Sequence, residues 1–243
     1  MALVITLSAA SSNLVTYLQD YEAEFTPYNG NGWFSSSYLG QDQWTAGTDT
    51  EGVDNGQSSV IMDIEDYDYS PGMFSGDVNS LTLGHNLEYD PGSDVWVQDN
   101  ELTIVNDSGY MPITSTFSEA IYTLSHGGLL DGGNFFGMQF AGLTDYFGEQ
   151  GTVQIGNVGL NDTLLGFDGQ DTFVFQDGSL FDTVDNYDIT EDILDVSAWG
   201  ATGLGDLVIG EFGGTTTIFS SDFSDSIEVL GVVGLTAANF EFA

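Results

Sequence analysis

Thirty-eight aspartates and glutamates, and not one lysine or arginine, are the first constraint on how this 243-residue chain folds. Average usage would place roughly 12% of residues in the basic pair. The cationic candidates reduce to the N-terminal amine, His85 and His126. Internal ion pairs are therefore scarce, and a formal charge of −38 makes the compact state repel itself unless cations offset it from outside. Divalent cations, which take oxygen ligands, are the natural partners of such a surface. Nucleic acid is excluded as a partner, because nothing neutralises its phosphates. Anionic membranes are excluded for the same reason. A generally acidic surface of the halophilic kind is the competing explanation of the charge.

The chain is nevertheless not a disordered acidic tail. Apolar residues make up 41% and aromatic residues 13%, enough for a real core. Glycine is abundant at 32 and proline scarce at 4, which favours turns and β structure. Aspartate outnumbers glutamate, 26 to 12, and is the carboxylate at home in turns and calcium loops. The absence of cysteine removes disulfides, zinc-thiolate sites and thiol catalysis. No apolar run approaches the ~18 residues of a spanning helix. The short apolar start, Met1–Ala10, reads as a first strand rather than a secretory leader, since it lacks a basic flank.

Helical spacing over 12–25 puts Leu14, Tyr17, Leu18, Tyr21 and Phe25 on one face. Pro27 and Gly30 then break the chain. Between Trp33 and Val105 the text reads as strands, with Val60, Met62 and Ile64 alternating with polar residues, as do Leu81 with Leu83 and Leu102 with Ile104. A second helix is expected from Thr116, capped by Thr116 and Glu119, with Phe117, Ile121 and Leu124 inward and Gly127 and Gly128 at its end. A third is expected over 134–147, presenting Phe136, Phe140, Leu143 and Phe147. Residues 148–157 read as a linker between two domains, 1–150 and 151–243. Beyond it, Gly213-Gly214 between two apolar runs predicts a hairpin.

The segment Gly159–Phe175 holds two degenerate nine-residue repeats, in which Asp162 and Asp171 are each followed by threonine and a large apolar residue. This spacing matches the aspartate position of the calcium β-roll repeat. There glycines turn carbonyls toward the ion, the aspartate supplies a carboxylate, and the apolar residue fills the interior. Asn161, Asp162, Asp168, Asp171, Asp182, Asp185, Asp192 and Asp195 are the candidate ligands, and hard oxygen donors suit calcium over softer metals. Aspartate turns holding no ion are the alternative. The stretches Phe181–Asp188, Glu191–Ser197 and Leu235–Ala243 resemble the C-terminal domain of repeats-in-toxin proteins. That resemblance, over about 156–243, implies type I secretion, an uncleaved C-terminal signal and calcium-triggered folding outside the cell.

Residues 1–150 resemble the hemophores, the secreted haem-acquisition proteins. Tyr17-Leu18, Gly32–Ser37, Gly76–Gly84, Ile121–Leu124 and Gly142–Tyr146 carry the likeness in order and spacing. It implies an α+β fold: a curved antiparallel sheet with helices on one face, followed by a mostly β C-terminal domain with a short degenerate calcium β-roll. In that family haem iron sits between a histidine on one loop and a tyrosine on a second, with a further histidine supporting the tyrosine. Here the first loop, about 26–31, offers Tyr28 and no histidine. The second, about 65–73, offers Tyr67 and Tyr69 and no supporting histidine. An unassisted phenol titrates near 10, and neighbouring carboxylates disfavour its ionised form. No arginine or lysine is present to receive haem propionates.

No nucleophile elbow, P-loop, dinucleotide fingerprint or zinc-protease motif occurs, and enzymatic activity is not expected. The first functional reading is an extracellular, calcium-binding structural protein that self-assembles into a homo-oligomer, filament or surface layer on a hemophore-like fold. The alternative is an extracellular carrier of haem or another small ligand, using Tyr28, Tyr67 or Tyr69. A calcium-dependent adhesin is a third reading.

Overall fold

The computed structural model describes residues 2–26, 33–35, 43–47, 57–70 and 73–243. The architecture is α+β, with three helices and mixed sheets. Two compact units divide the chain. One comprises residues 1–4 with 18–150, the other 5–17 with 151–243.

The first strand, β1 (Leu3–Leu7), forms where the apolar start predicts it. Helix α1 (Leu14–Glu24) follows, with the Asn13 carboxamide accepting from the Thr16 N–H at 3.0 Å. Leu14, Tyr17, Leu18, Tyr21 and Phe25 are all buried, as their spacing requires.

In the first unit, β2 (Trp33–Ser35), β3 (Gln43–Gly47), β4 (Ser58–Ser70), β5 (Met73–Asp90) and β6 (Val95–Asn106) lie side by side, antiparallel throughout. Period-two alternation decides the faces. Val60, Met62, Ile64, Leu81, Leu83, Leu102 and Ile104 are fully buried on one of them.

Helix α2 (Ser115–Gly127) buries Phe117, Ile121 and Leu124 as predicted, but its cap differs. The Thr114 hydroxyl, not Thr116, accepts from the Phe117 N–H at 3.1 Å. Glu119 instead accepts from the Ala141 N–H at 2.8 Å, so no capping box forms. Gly128 closes the helix at φ 64°, and a side chain there would meet the Phe25 ring at 2.3 Å. The helix expected over 134–147 is replaced by a hairpin, β7 (Gly133–Phe135) and β8 (Met138–Phe140), and a short helix α3 (Leu143–Gln150). Phe136 and Gly137 both take positive φ in a two-residue turn. The aromatic spacing 136/140/143/147 is thus shared by two kinds of element.

In the second unit, the supposed linker contains strand β9 (Thr152–Ile155). Short strands then alternate between two sheets: β10 (Thr163–Leu165), β11 (Asp171–Val174), β12 (Phe181–Asp185), β13 (Ile193–Asp195), β16 (Ser226–Val229) and β17 (Phe240–Glu241). One sheet aligns β9, β11, β13 and β17 in parallel. The other aligns β10, β12 and β16 in parallel. The chain therefore winds as a coil, each turn placing one strand in each sheet. Leu164, Phe173, Val184, Leu194, Ile227 and Val229 fill it. The Gly213-Gly214 hairpin joins β14 (Val208–Phe212) to β15 (Thr215–Phe219) and extends the second sheet.

Candidate functional site

The alternation that buries Val60, Met62 and Ile64 turns Ile61, Asp63 and Glu65 of β4 to the other face. There they line a groove of about 520 Å³ with Gln43 of β3, Ser80 and Thr82 of β5, and Trp96, Val97, Gln98 and Asn100 of β6. Strands β3 and β6 are not neighbours in the sheet, since β4 and β5 lie between them. Yet the Gln43 carboxamide reaches β6, its oxygen accepting from the Trp96 N–H at 2.8 Å and its nitrogen donating to the Trp96 carbonyl at 3.2 Å. The sheet is curled tightly enough for one side chain to bridge its hollow. Gln98 fixes the floor, donating to the Thr82 carbonyl and accepting from the Ser59 hydroxyl. Burial, then the nearby Glu65, raises the Asp63 carboxyl above its ordinary range.

The predicted tyrosines take different places. Tyr28 lies outside the described residues. Tyr67 and Tyr69 fall within β4 rather than on a loop, because Asp68 pairs with Ser75 and Tyr69 with Phe74 in the β4–β5 hairpin. Tyr67 is half-buried, and the Tyr69 side chain is outside those described. Both histidines are engaged elsewhere. His85 sits between Glu101 at 2.6 Å and Glu24 at 3.0 Å. Burial lowers its pKa, but the two carboxylates outweigh this and hold the imidazole above its usual value. His126 stacks on Tyr122 at 3.9 Å in the last turn of α2. Both histidines thus have other partners, and the chain has no lysine or arginine to receive haem propionates.

The candidate calcium ligands divide by burial. Asp162, Asp171, Asp182 and Asp192 are buried at the strand starts of the coil. Seven of their eight oxygens already accept hydrogen bonds, while Asp182 Oδ2 is buried without a hydrogen-bond partner. Asp171 accepts from the N–H groups of Thr152 (3.0 Å) and Phe167 (2.6 Å) and from the Thr152 hydroxyl (2.6 Å). Asp192 accepts from the Asp171 and Asp188 N–H groups, both at 2.8 Å. Asp182 accepts from the Asp162 N–H at 2.8 Å, and Asp162 from the backbone and side chain of Asn157. Each carboxylate thus ties one turn of the coil to another or locks its own turn. Asn161 and Asp168 are exposed, while Asp185 and Asp195 are half-buried and accept from Asn186 N–H and Ser197 N–H. Among the described residues, no group of three or more acidic or histidine side chains is placed to hold a metal ion. Burial outweighs the hydrogen bonds and pushes Asp171 and Asp182 up to about 7 and Asp192 to about 6.

Sequence reasoning missed Gln43, Asp63 and Trp96 in the groove, and Asp225 in the coil. The signal for the groove was the outward half of the β4 alternation. The signal for Asp225 was its place two residues before a buried apolar residue, Ile227, a spacing shared by Asp162 with Leu164 and Asp182 with Val184. Asp225 is buried and accepts from the Leu180 N–H at 2.9 Å and the Gly178 N–H at 3.2 Å.

No family model and no curated protein matches this chain. Among solved structures it is similar to the holo hemophore HasA of Yersinia pestis, at 17% identity over 52% of this chain and 83% of the hemophore, with TM-score 0.37. The tetragonal apo form of the same hemophore matches at 16% identity, over 52% of this chain and 81% of its own, with TM-score 0.36. A HasA mutant monomer from Yersinia pseudotuberculosis matches at 17% identity, over 52% and 83%, with TM-score 0.35. These values transfer no binding residue to this chain.

Proposed function

We propose that this chain is an extracellular, non-catalytic carrier of a small organic cation, held in the curled-sheet groove. The observation that carries this reading is the Gln43 bridge to Trp96, which closes a hollow bearing Asp63 and Glu65. Two carboxylates with amide and hydroxyl groups offer acceptors to an ammonium or guanidinium, and the Trp96 indole offers a flat apolar surface for its carbon frame. The charge of −38 draws cations and repels anions, including a haem dicarboxylate. Export from the cell is supported by the resemblance of residues 156–243 to type I secreted domains.

Spermidine titrated calorimetrically at moderate salt is expected to show a saturable component that the Asp63→Asn, Glu65→Gln double variant weakens about tenfold or more. A cation favours the ionised Asp63, so affinity should fall as acidification protonates that raised carboxyl. Equal binding by wild type and variant would sink the reading. Hemin is expected to produce no Soret shift. A shift abolished by Tyr67→Phe with Tyr69→Phe would restore the haem reading in its place.

A further inference from the structure

Strand β14 ends its five-stranded sheet, and all five of its residues are exposed. An open strand edge presents unpaired backbone donors and acceptors to any other strand. Acidic chains usually blunt such an edge with charge, but the whole hairpin Leu207–Ser221 carries only Glu211. That carboxylate is occupied, accepting from the Gly234 N–H at 2.7 Å. The neighbouring stretch Val229–Phe240 contains no acid at all. Around the edge, Val208 (44%), Phe212 (92%) and Val233 (47%) remain exposed.

We propose that β14 pairs with β14 of a second copy of this chain, antiparallel about a two-fold axis at Gly210. This goes beyond the carrier reading and uses no residue of the groove. The strand Val-Ile-Gly-Glu-Phe is suited to that register. Val208 meets Phe212 of the other copy on one face, an aromatic–β-branched pair of the stabilising kind. Gly210 meets Gly210 at the axis, with both Phe212 rings free to cover it. Ile209 meets Glu211 on the other face, so the two glutamates do not oppose each other. Two copies that both carry −38 repel each other everywhere else, and this edge lets backbone pair with backbone where charge is thin. The remaining long-range repulsion is screened by salt, so the dimer should strengthen with ionic strength, opposite to an interface built on ion pairs.

Sedimentation velocity from ~0.1 to ~1 M NaCl tests this. A dimer that grows with salt is expected, and Phe212→Asp should weaken it about tenfold or more. That ring is exposed, so the variant loses no core. Because the chain has no cysteine, Gly210→Cys places one thiol at the axis, where an added Cβ meets nothing within 4 Å. It should form a disulfide dimer on mild oxidation far faster than the exposed control Asp107→Cys. A monomer at every salt concentration would overturn the proposal. So would a dimer indifferent to Phe212→Asp, or crosslinking no faster than the control.

Discussion

At the scale of single residues, buried charge is the dominant theme. Asp171 satisfies three donors inside the coil. Asp171→Ala would strand them, and a buried unsatisfied donor costs about 1–3 kcal/mol. Chemical denaturation should register a loss of at least that size. The pH dependence has a definite sign. An unfolded aspartate releases its proton near 3.8, whereas folded Asp171 and Asp182 keep theirs to about 7 and Asp192 to about 6. Between those limits the folded state holds more protons. The contribution is therefore complete below about pH 4 and disappears as pH rises through 6 to 7. His85 acts in the same direction. Its raised pKa adds stability that is full below 6.5 and is lost as pH rises through the folded value. The thermal midpoint should climb when the protein is taken from about pH 8 to about pH 5, and His85→Gln should flatten part of that climb. A midpoint that falls over that range would refute the assignment.

At the scale of elements, caps and glycines decide where helices stop. Thr114→Ala removes the one side-chain cap of α2 and should cost about 1 kcal/mol. Gly128→Ala combines a left-handed backbone with a clash into the Phe25 ring, so its cost should exceed that of the cap by about 1–3 kcal/mol. Thermal unfolding of the two variants side by side checks the order. The missed hairpin at 133–140 teaches the same point. Its aromatic spacing suits a helix, but Gly137 takes φ 79°, and a side chain at Gly142 would meet the Leu130 carbonyl at 2.0 Å. Tertiary packing overrides periodicity when glycine lets the chain turn.

At the scale of the whole molecule, a net charge of −38 is opposed by only two described ion pairs, both to His85. Hydrophobic burial must therefore hold the fold against its own field. Added monovalent salt screens that field, so thermal stability should rise steadily with NaCl. Stability that is flat or declining in salt would show that the charges are already compensated within the fold.

The α+β class was expected from a resemblance, whereas the sequence by itself determined the inward faces of α1 and α2, the alternation of β4, β5 and β6, and the Gly213-Gly214 hairpin. These rest on local spacing, because side-chain direction repeats every 3.6 or 2 residues whatever the chain does elsewhere. It also set the net charge of −38, since charge is a sum over residues and needs no fold. Only the tertiary structure decided that Asp162, Asp171, Asp182 and Asp192 face inward onto backbone N–H groups of the coil. Only it brought Gln43 to Trp96 across a curled sheet, and left the outer edge of β14 unpaired among the described residues. Those three outcomes depend on which strands meet after long excursions of the chain, and local spacing does not encode that.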